Sequence, residues 1–382
     1  MSEASAQPLA PVALRARSPR SAVIEALRVI GCVGVVMFHV NAPWPRHVFP
    51  GSEMFMTLAV AFASMAAGKQ AFARFARTRF FSLMVTWLLW WAFYAAYRSA
   101  FAIHEGNALL SWLESPHQML SGPAVHLWFL PFAFVVAVGA GWLMMRGRGE
   151  AGDGSAGDGS AGRGGGRGWL VWGVVCAGMI VLCAFAKHRF VDPLREDGLH
   201  GPYHNWLRML PGAALGVALA QVPLRRLASL RRTGVIAAMG LAACGIAHFS
   251  GWTDLPSRYI PTLVLLCVGW CIPLSAPAWL MWLSQLTFGV YLAHMFTKDL
   301  VQKAMLVSGF HVFGREWLHG GLTLLVTFPL AAILRYTWLR WSVGIWPEAR
   351  AQREETSPAS AARPSESDAG RSPNHAARRT AG

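Results

Sequence analysis

The sequence predicts an all-α protein, a polytopic membrane helix bundle of about ten transmembrane helices. Three observations predict it. Of 382 residues, 54% are hydrophobic and only 14% charged, whereas soluble domains run near a quarter charged. Apolar runs recur at the length of about 20 residues that a bilayer requires. The runs are continuous rather than alternating, which selects helices over the strands of a closed barrel, the two structures lipid permits.

In chain order the predicted spans are 22–41, 52–68, 80–102, 124–145, 169–187, 206–221, 232–250, 258–275, 278–297 and 318–340. The second and sixth are short and rich in Ala and Gly. The third, "FFSLMVTWLLWWAFYAAY", carries the strongest signal.

The formal charge of +15 raises the question of a nucleic-acid partner, and the placement of the charge answers it. With the N-terminus in the cytoplasm, 22 of the 34 Lys and Arg fall in inside segments and nine in outside ones. Arg28, Arg208 and Arg335 lie within spans. The loop "RRLASLRR" (225–232) is the clearest inside loop. The basic balance is that of membrane topology, so no nucleic acid is expected, and both termini are placed in the cytoplasm.

Three stretches lie outside the bundle. Residues 1–21 and 342–382 read as cytoplasmic disordered tails, the latter rich in Ser, Pro, Ala and Arg. Residues 146–168, with a tandem AGDGS, read as a flexible cytoplasmic linker within a membrane domain spanning 22–341. The first apolar run carries Glu25 and Arg28 and no A-x-A site follows it, so it reads as an anchor rather than a cleaved signal.

All six cysteines (Cys32, Cys176, Cys183, Cys244, Cys267 and Cys271) fall inside predicted spans and read as small packing residues. Cys267 and Cys271 share a helix face, but no His or further Cys stands near them in sequence to complete a metal set.

The most informative segment is "RVIGCVGVVMFH", residues 28–39. On a helix, the step from Arg28 to His39 is a rise of about 16 Å and a return to within about 20° of the starting direction. Arg28 and His39 therefore share one stripe at two depths. Glu25, one turn before Arg28, can pair with it. Ionisable groups at membrane depth point to a functional pathway. The alternative from physics alone is snorkelling by Glu25 and Arg28, with His39 as an interfacial cap.

Four segments in order resemble the acyltransferase-3 family of integral membrane acyltransferases, the glucan-succinylating and O-antigen-acetylating type. "EALRVIGCVGVVMFHV" is similar to its first helix, with an Arg and a His at this spacing. "HLWFLPF" (126–132) resembles its HLWFL signature, and "RMLPGAALG" (208–216) its mid-chain Arg and Pro-Gly segment. "LSQLTFGVYLAHMF" (283–296) resembles its late S-x-x-S/T-F-G-x-Y-L-x-H helix. One motif departs. The family's R-x-x-R followed by Pro is replaced by "RFARTRFFSLMV": Arg74 and Arg77 have the spacing but precede the predicted span, Arg79 matches by position, and no Pro follows.

The resemblance implies acyl transfer from cytoplasmic acyl-CoA, as acetyl or succinyl, to a hydroxyl of a glycan or glycolipid on the periplasmic side of a bacterial inner membrane. The implied partners are acyl-CoA, that acceptor and the bilayer, and no cofactor is expected beyond the donor substrate. Histidine suits base work near neutrality, which assigns His39 as general base, with Arg28, about three turns away on the same stripe, as the second catalytic candidate, able to reach the donor deeper in. Arginine suits phosphate, which assigns Arg74, Arg77 and Arg79 to the donor. His126, Arg208, Tyr291 and His294 are candidates for acceptor binding or support, with interhelical packing the plainer role for Tyr291 and His294. Arg208 is expected to pair with Asp192, Glu196 or Asp197, or to bind an anion. A transporter or flippase, and an inactive scaffold of the same fold, are the alternatives.

Overall fold

The computed structural model describes residues 20–42, 51–67, 70–109, 122–124, 126–149, 168–191, 203–252, 254–310 and 314–345. Most of both tails, most of the Gly-rich linker, and Asp192, Glu196 and Asp197 lie outside this set. The described residues form helices and no strand. In order these are α1 (Ala22–His39), α2 (Gly51–Ala67), α3 (Phe72–His104), α4 (Phe129–Gly149), α5 (Gly168–Ala186), α6 (Tyr203–Ala220), α7 (Leu230–Phe249), α8 (Asp254–Cys271), α9 (Ala278–Val307) and α10 (Glu316–Tyr336). Six of them, α1, α3, α4, α5, α7 and α10, are long and apolar enough to cross a membrane; α2 and α8 are shorter apolar helices. The chain is an all-α membrane bundle.

Two helices outrun their predicted spans by two turns or more. α3 starts at Phe72 rather than 80, and passes through a π-helical stretch at Phe80–Val85, so Arg74, Arg77 and Arg79 lie in its first turns. α9 runs on to Val307, past the predicted end at 297, because Lys298, Asp299 and Lys303 end the apolar run without ending the helix.

Successive helices alternate in direction, which gathers particular loops at each end. At one end, Ala22 N donates to Leu274 O (2.9 Å), Ala276 N to Arg20 O (2.8 Å) and Arg225 N to Trp270 O (2.8 Å). At the other, Met37 of α1 and Val40 just beyond it pack on Gly320 of α10, and His319 donates through Nε2 to Lys298 O (3.1 Å). The two ends of α1 thus open onto two different environments.

Small residues let the helices approach, as expected where association depends on packing rather than on hydrophobic exclusion. A Cβ on Gly216 of α6 would stand 2.5 Å from Thr57 O of α2, and one on Gly51 would stand 2.6 Å from Gly31 O of α1. All six cysteines are buried and unpaired with one another. α6 also carries Pro211. Next to it, the Tyr259 hydroxyl accepts from Gly212 N (3.0 Å) and donates to Arg208 O (2.7 Å). That carbonyl and amide are one turn apart, and an undisturbed helix pairs such groups directly.

Candidate active site

Three histidines from three elements meet at the C-terminal end of α1. Ring centroids are 5.1 Å apart for His39 and His294, 4.7 Å for His126 and His294, and 6.4 Å for His39 and His126. His39 ends α1, His126 stands in the turn before α4, and His294 lies in α9. His126 is 3% exposed and His294 fully buried, whereas His39 is half-buried. The cluster therefore has one accessible ring.

The two buried rings are oriented by backbone carbonyls. His294 Nδ1 lies 2.7 Å from Tyr291 O, and His126 Nε2 lies 3.3 Å from Leu292 O. A carbonyl only accepts, so each of these nitrogens carries the proton and donates. The other nitrogens, His294 Nε2 and His126 Nδ1, are buried without a hydrogen-bond partner. In the neutral rings both are bare acceptors.

Tyrosines lock this arrangement. The Tyr291 hydroxyl donates to His126 O. The Tyr94 hydroxyl donates to Leu292 O (2.8 Å) and accepts from Phe296 N (3.2 Å), bridging one turn of α9 around His294. Its ring stands edge-on to His126, centroids 5.6 Å apart. Tyr94 is a site residue that the sequence reading missed. Its only signal was a tyrosine within an aromatic run, and its partners lie some two hundred positions away. No group of three or more described His, Cys, Asp or Glu side chains is arranged to hold a metal ion.

The N-terminal half of α1 meets a different chemistry. Arg28 donates to Glu25 Oε2 (3.0 Å), as the spacing predicts. Glu25, 4% exposed, also accepts from the Ser284 hydroxyl and faces Arg20 at 3.7 Å. Arg20, Arg28 and Arg335 line a cavity of about 240 Å³ together with Gln285, Phe288 and Gly289, among others. Arg335 donates to Gln285 Oε1 (2.6 Å) and to Gln285 O (3.3 Å). Its partner is a neutral amide, so its charge is uncompensated by that contact. The sequence reading placed Arg335 within a span and gave it no role, because Gln285 is 50 positions away.

Arg74, Arg77 and Arg79 do not line this cavity. Arg79 lies over the Phe75 ring at 5.3 Å and Arg77 over Phe81 at 5.8 Å. The phenyl ring of Phe75 is itself wedged against Gly141 of α4. The three arginines thus flank the start of α3 on the same end of the bundle.

Arg208 pairs with Glu53 of α2 across 3.3 Å, with side chains 13% and 2% exposed. The acidic residues expected as its partners lie outside the described set. The Ser52 hydroxyl donates to the second oxygen of Glu53 (2.8 Å). The pair joins α2 to α6 beside the Tyr259 bridge.

A family model described as an acyltransferase domain, that of the acyltransferase-3 family, matches residues 22–336. No curated protein and no solved structure matches the chain.

Proposed function

Because the chain belongs to the acyltransferase-3 family and is an acyltransferase, we propose that it moves an acetyl or succinyl group from cytoplasmic acyl-CoA to a hydroxyl of a glycan or glycolipid at the periplasmic face of an inner membrane. The observation that carries this reading is the division of α1. Its Arg28 borders a cavity lined by three arginines, and its His39 joins the histidine cluster, about 16 Å further along the helix axis. Acyl-CoA has a matching polarity: phosphates at one end, a thioester at the end of a long thin arm. Guanidinium groups suit the phosphates.

In this reading the arginine end faces the cytoplasm, in agreement with the basic inside loops. Arg20, Arg28 and Arg335 hold the donor phosphates, and Arg74, Arg77 and Arg79 draw the donor in from the same side. His39, the accessible ring, takes the proton of the acceptor hydroxyl as that oxygen attacks the thioester carbonyl. The C–S bond then breaks, and the thiolate leaves with the proton returned by His39. The Glu53–Arg208 pair holds α2 against α6.

The test is incubation of the purified chain in detergent with radiolabelled acetyl-CoA and, separately, succinyl-CoA, scoring free CoA and labelled lipid extract. Release from one donor is expected and names the acyl group. Neither release nor binding of either donor by folded protein would overturn the reading.

A further inference from the structure

The proposed chemistry uses His39 and leaves two buried imidazoles unexplained. A buried polar atom without a partner is destabilising, and here two such atoms, His294 Nε2 and His126 Nδ1, belong to the same cluster. Both rings spend their N–H on a main-chain carbonyl. Neither can offer His39 a donor while neutral; each can offer it only a lone pair.

We propose that His294 is the positioning residue of His39: its Nε2 accepts the N–H of His39, fixing the tautomer in which the other ring nitrogen of His39 is free to take a proton. In the resting geometry this bond is not made: the centroids stand 5.1 Å apart with the rings tilted by 40°, and a turn of the half-buried His39 ring brings its N–H to a hydrogen-bond distance of about 2.9 Å from Nε2. His294 is suited to the part because it cannot turn. Its Nδ1 is tied to Tyr291 O, and the helix turn that carries it is bridged by Tyr94. The arrangement is that of an acid–base histidine oriented by a third group, with a neutral, carbonyl-anchored imidazole in place of a carboxylate. When His39 takes the hydroxyl proton, its bond to His294 becomes charge-assisted and strengthens, so the contact favours the protonated form that the attack generates. The second bare acceptor, His126 Nδ1, belongs to a ring 4.7 Å from His294 and 6.4 Å from His39.

This inference rests on the reading of His39 as the base, and two readouts separate their failures. The first is turnover of the donor that the wild-type chain uses, with methyl glucoside as acceptor probe. The second needs no substrate: the rate at which diethyl pyrocarbonate, which attacks a free imidazole lone pair, modifies His39, followed by peptide mass spectrometry. His294→Phe, which keeps a ring but no acceptor, is expected to lower kcat by about tenfold or more with the donor KM unchanged, and to slow modification of His39 to a similar degree. His294→Gln, whose amide can reach the position of Nε2 with its carbonyl oxygen, is expected to restore both. His294→Leu serves if the Phe variant does not fold. Wild-type modification of His39 in a folded Phe or Leu variant would overturn the proposal, as would a Gln variant no better than these. Retained turnover in His39→Ala would instead sink the base assignment, whatever the modification rates.

Discussion

Removing Arg208 separates a structural from a ligand-binding role for that residue. The Glu53–Arg208 pair is buried on both sides, at 2% and 13% exposure, and its charges stand 3.3 Å apart. At an effective dielectric constant near 20, that contact corresponds to an attraction of about 5 kcal/mol. Arg208→Met leaves Glu53 charged, buried and held only by Ser52, and such losses run to about 3–5 kcal/mol. A pair replaced as a whole is often nearly neutral. The double variant Glu53→Gln/Arg208→Met is therefore expected to recover most of the loss, to within about 1–2 kcal/mol of wild type. The assay is the fraction of monodisperse protein remaining after a temperature series in detergent, with donor turnover on the survivors. A single variant as heat-resistant as wild type, yet inactive, would refute the structural assignment and return Arg208 to the substrate. A double variant no better than the single would refute the coupling.

Three further outcomes follow from the geometry. Arg335→Gln is expected to raise the acyl-CoA KM by about tenfold, the scale of one charge-assisted hydrogen bond, with kcat little changed; an unchanged KM would remove this residue from donor binding. Gly216→Val places branched carbons where one Cβ already stands 2.5 Å from Thr57 O, and is expected to cost about 1–3 kcal/mol or more by overpacking α2 against α6; a variant as heat-stable as wild type would show that this crossing tolerates widening. Single cysteines at the exposed positions Ala228 and Ser250, in a cysteine-free background, are expected to react with a membrane-impermeant maleimide from the cytoplasmic and periplasmic sides respectively. The reverse pattern would invert the bundle and move the basic cavity away from cytoplasmic CoA.

The spans were legible because each is a nearly unbroken apolar run, and lipid leaves such a run one solution. Even the short, Ala- and Gly-rich second and sixth spans form helices, α2 and α6, and Gly212 and Gly216 of α6 are where α2 comes close. Helix ends were less legible. Arg74, Arg77 and Arg79 broke the hydropathy signal at the start of α3, and Lys298 and Asp299 did so within α9, although the backbone continued through both. Arg28, His39 and Glu25 were readable together because one helix face carries all three. Contacts across the bundle left no local trace: Arg335 with Gln285, Arg208 with Glu53, and Tyr94 with the Leu292 carbonyl are pairings that only the packing of helices distant in sequence creates. His126 and His294 could be nominated from motif resemblance, but not the carbonyl bonds that set which nitrogen each leaves bare.

The central claim is that α1 joins donor binding at Arg28 to proton transfer at His39. It is tested most directly by measuring acyl-CoA binding and CoA release side by side for wild type and a folded His39→Ala variant. The account predicts donor affinity within about twofold of wild type and turnover lowered by about a hundredfold or more, the usual scale of a lost general base. Turnover at the wild-type rate would contradict it.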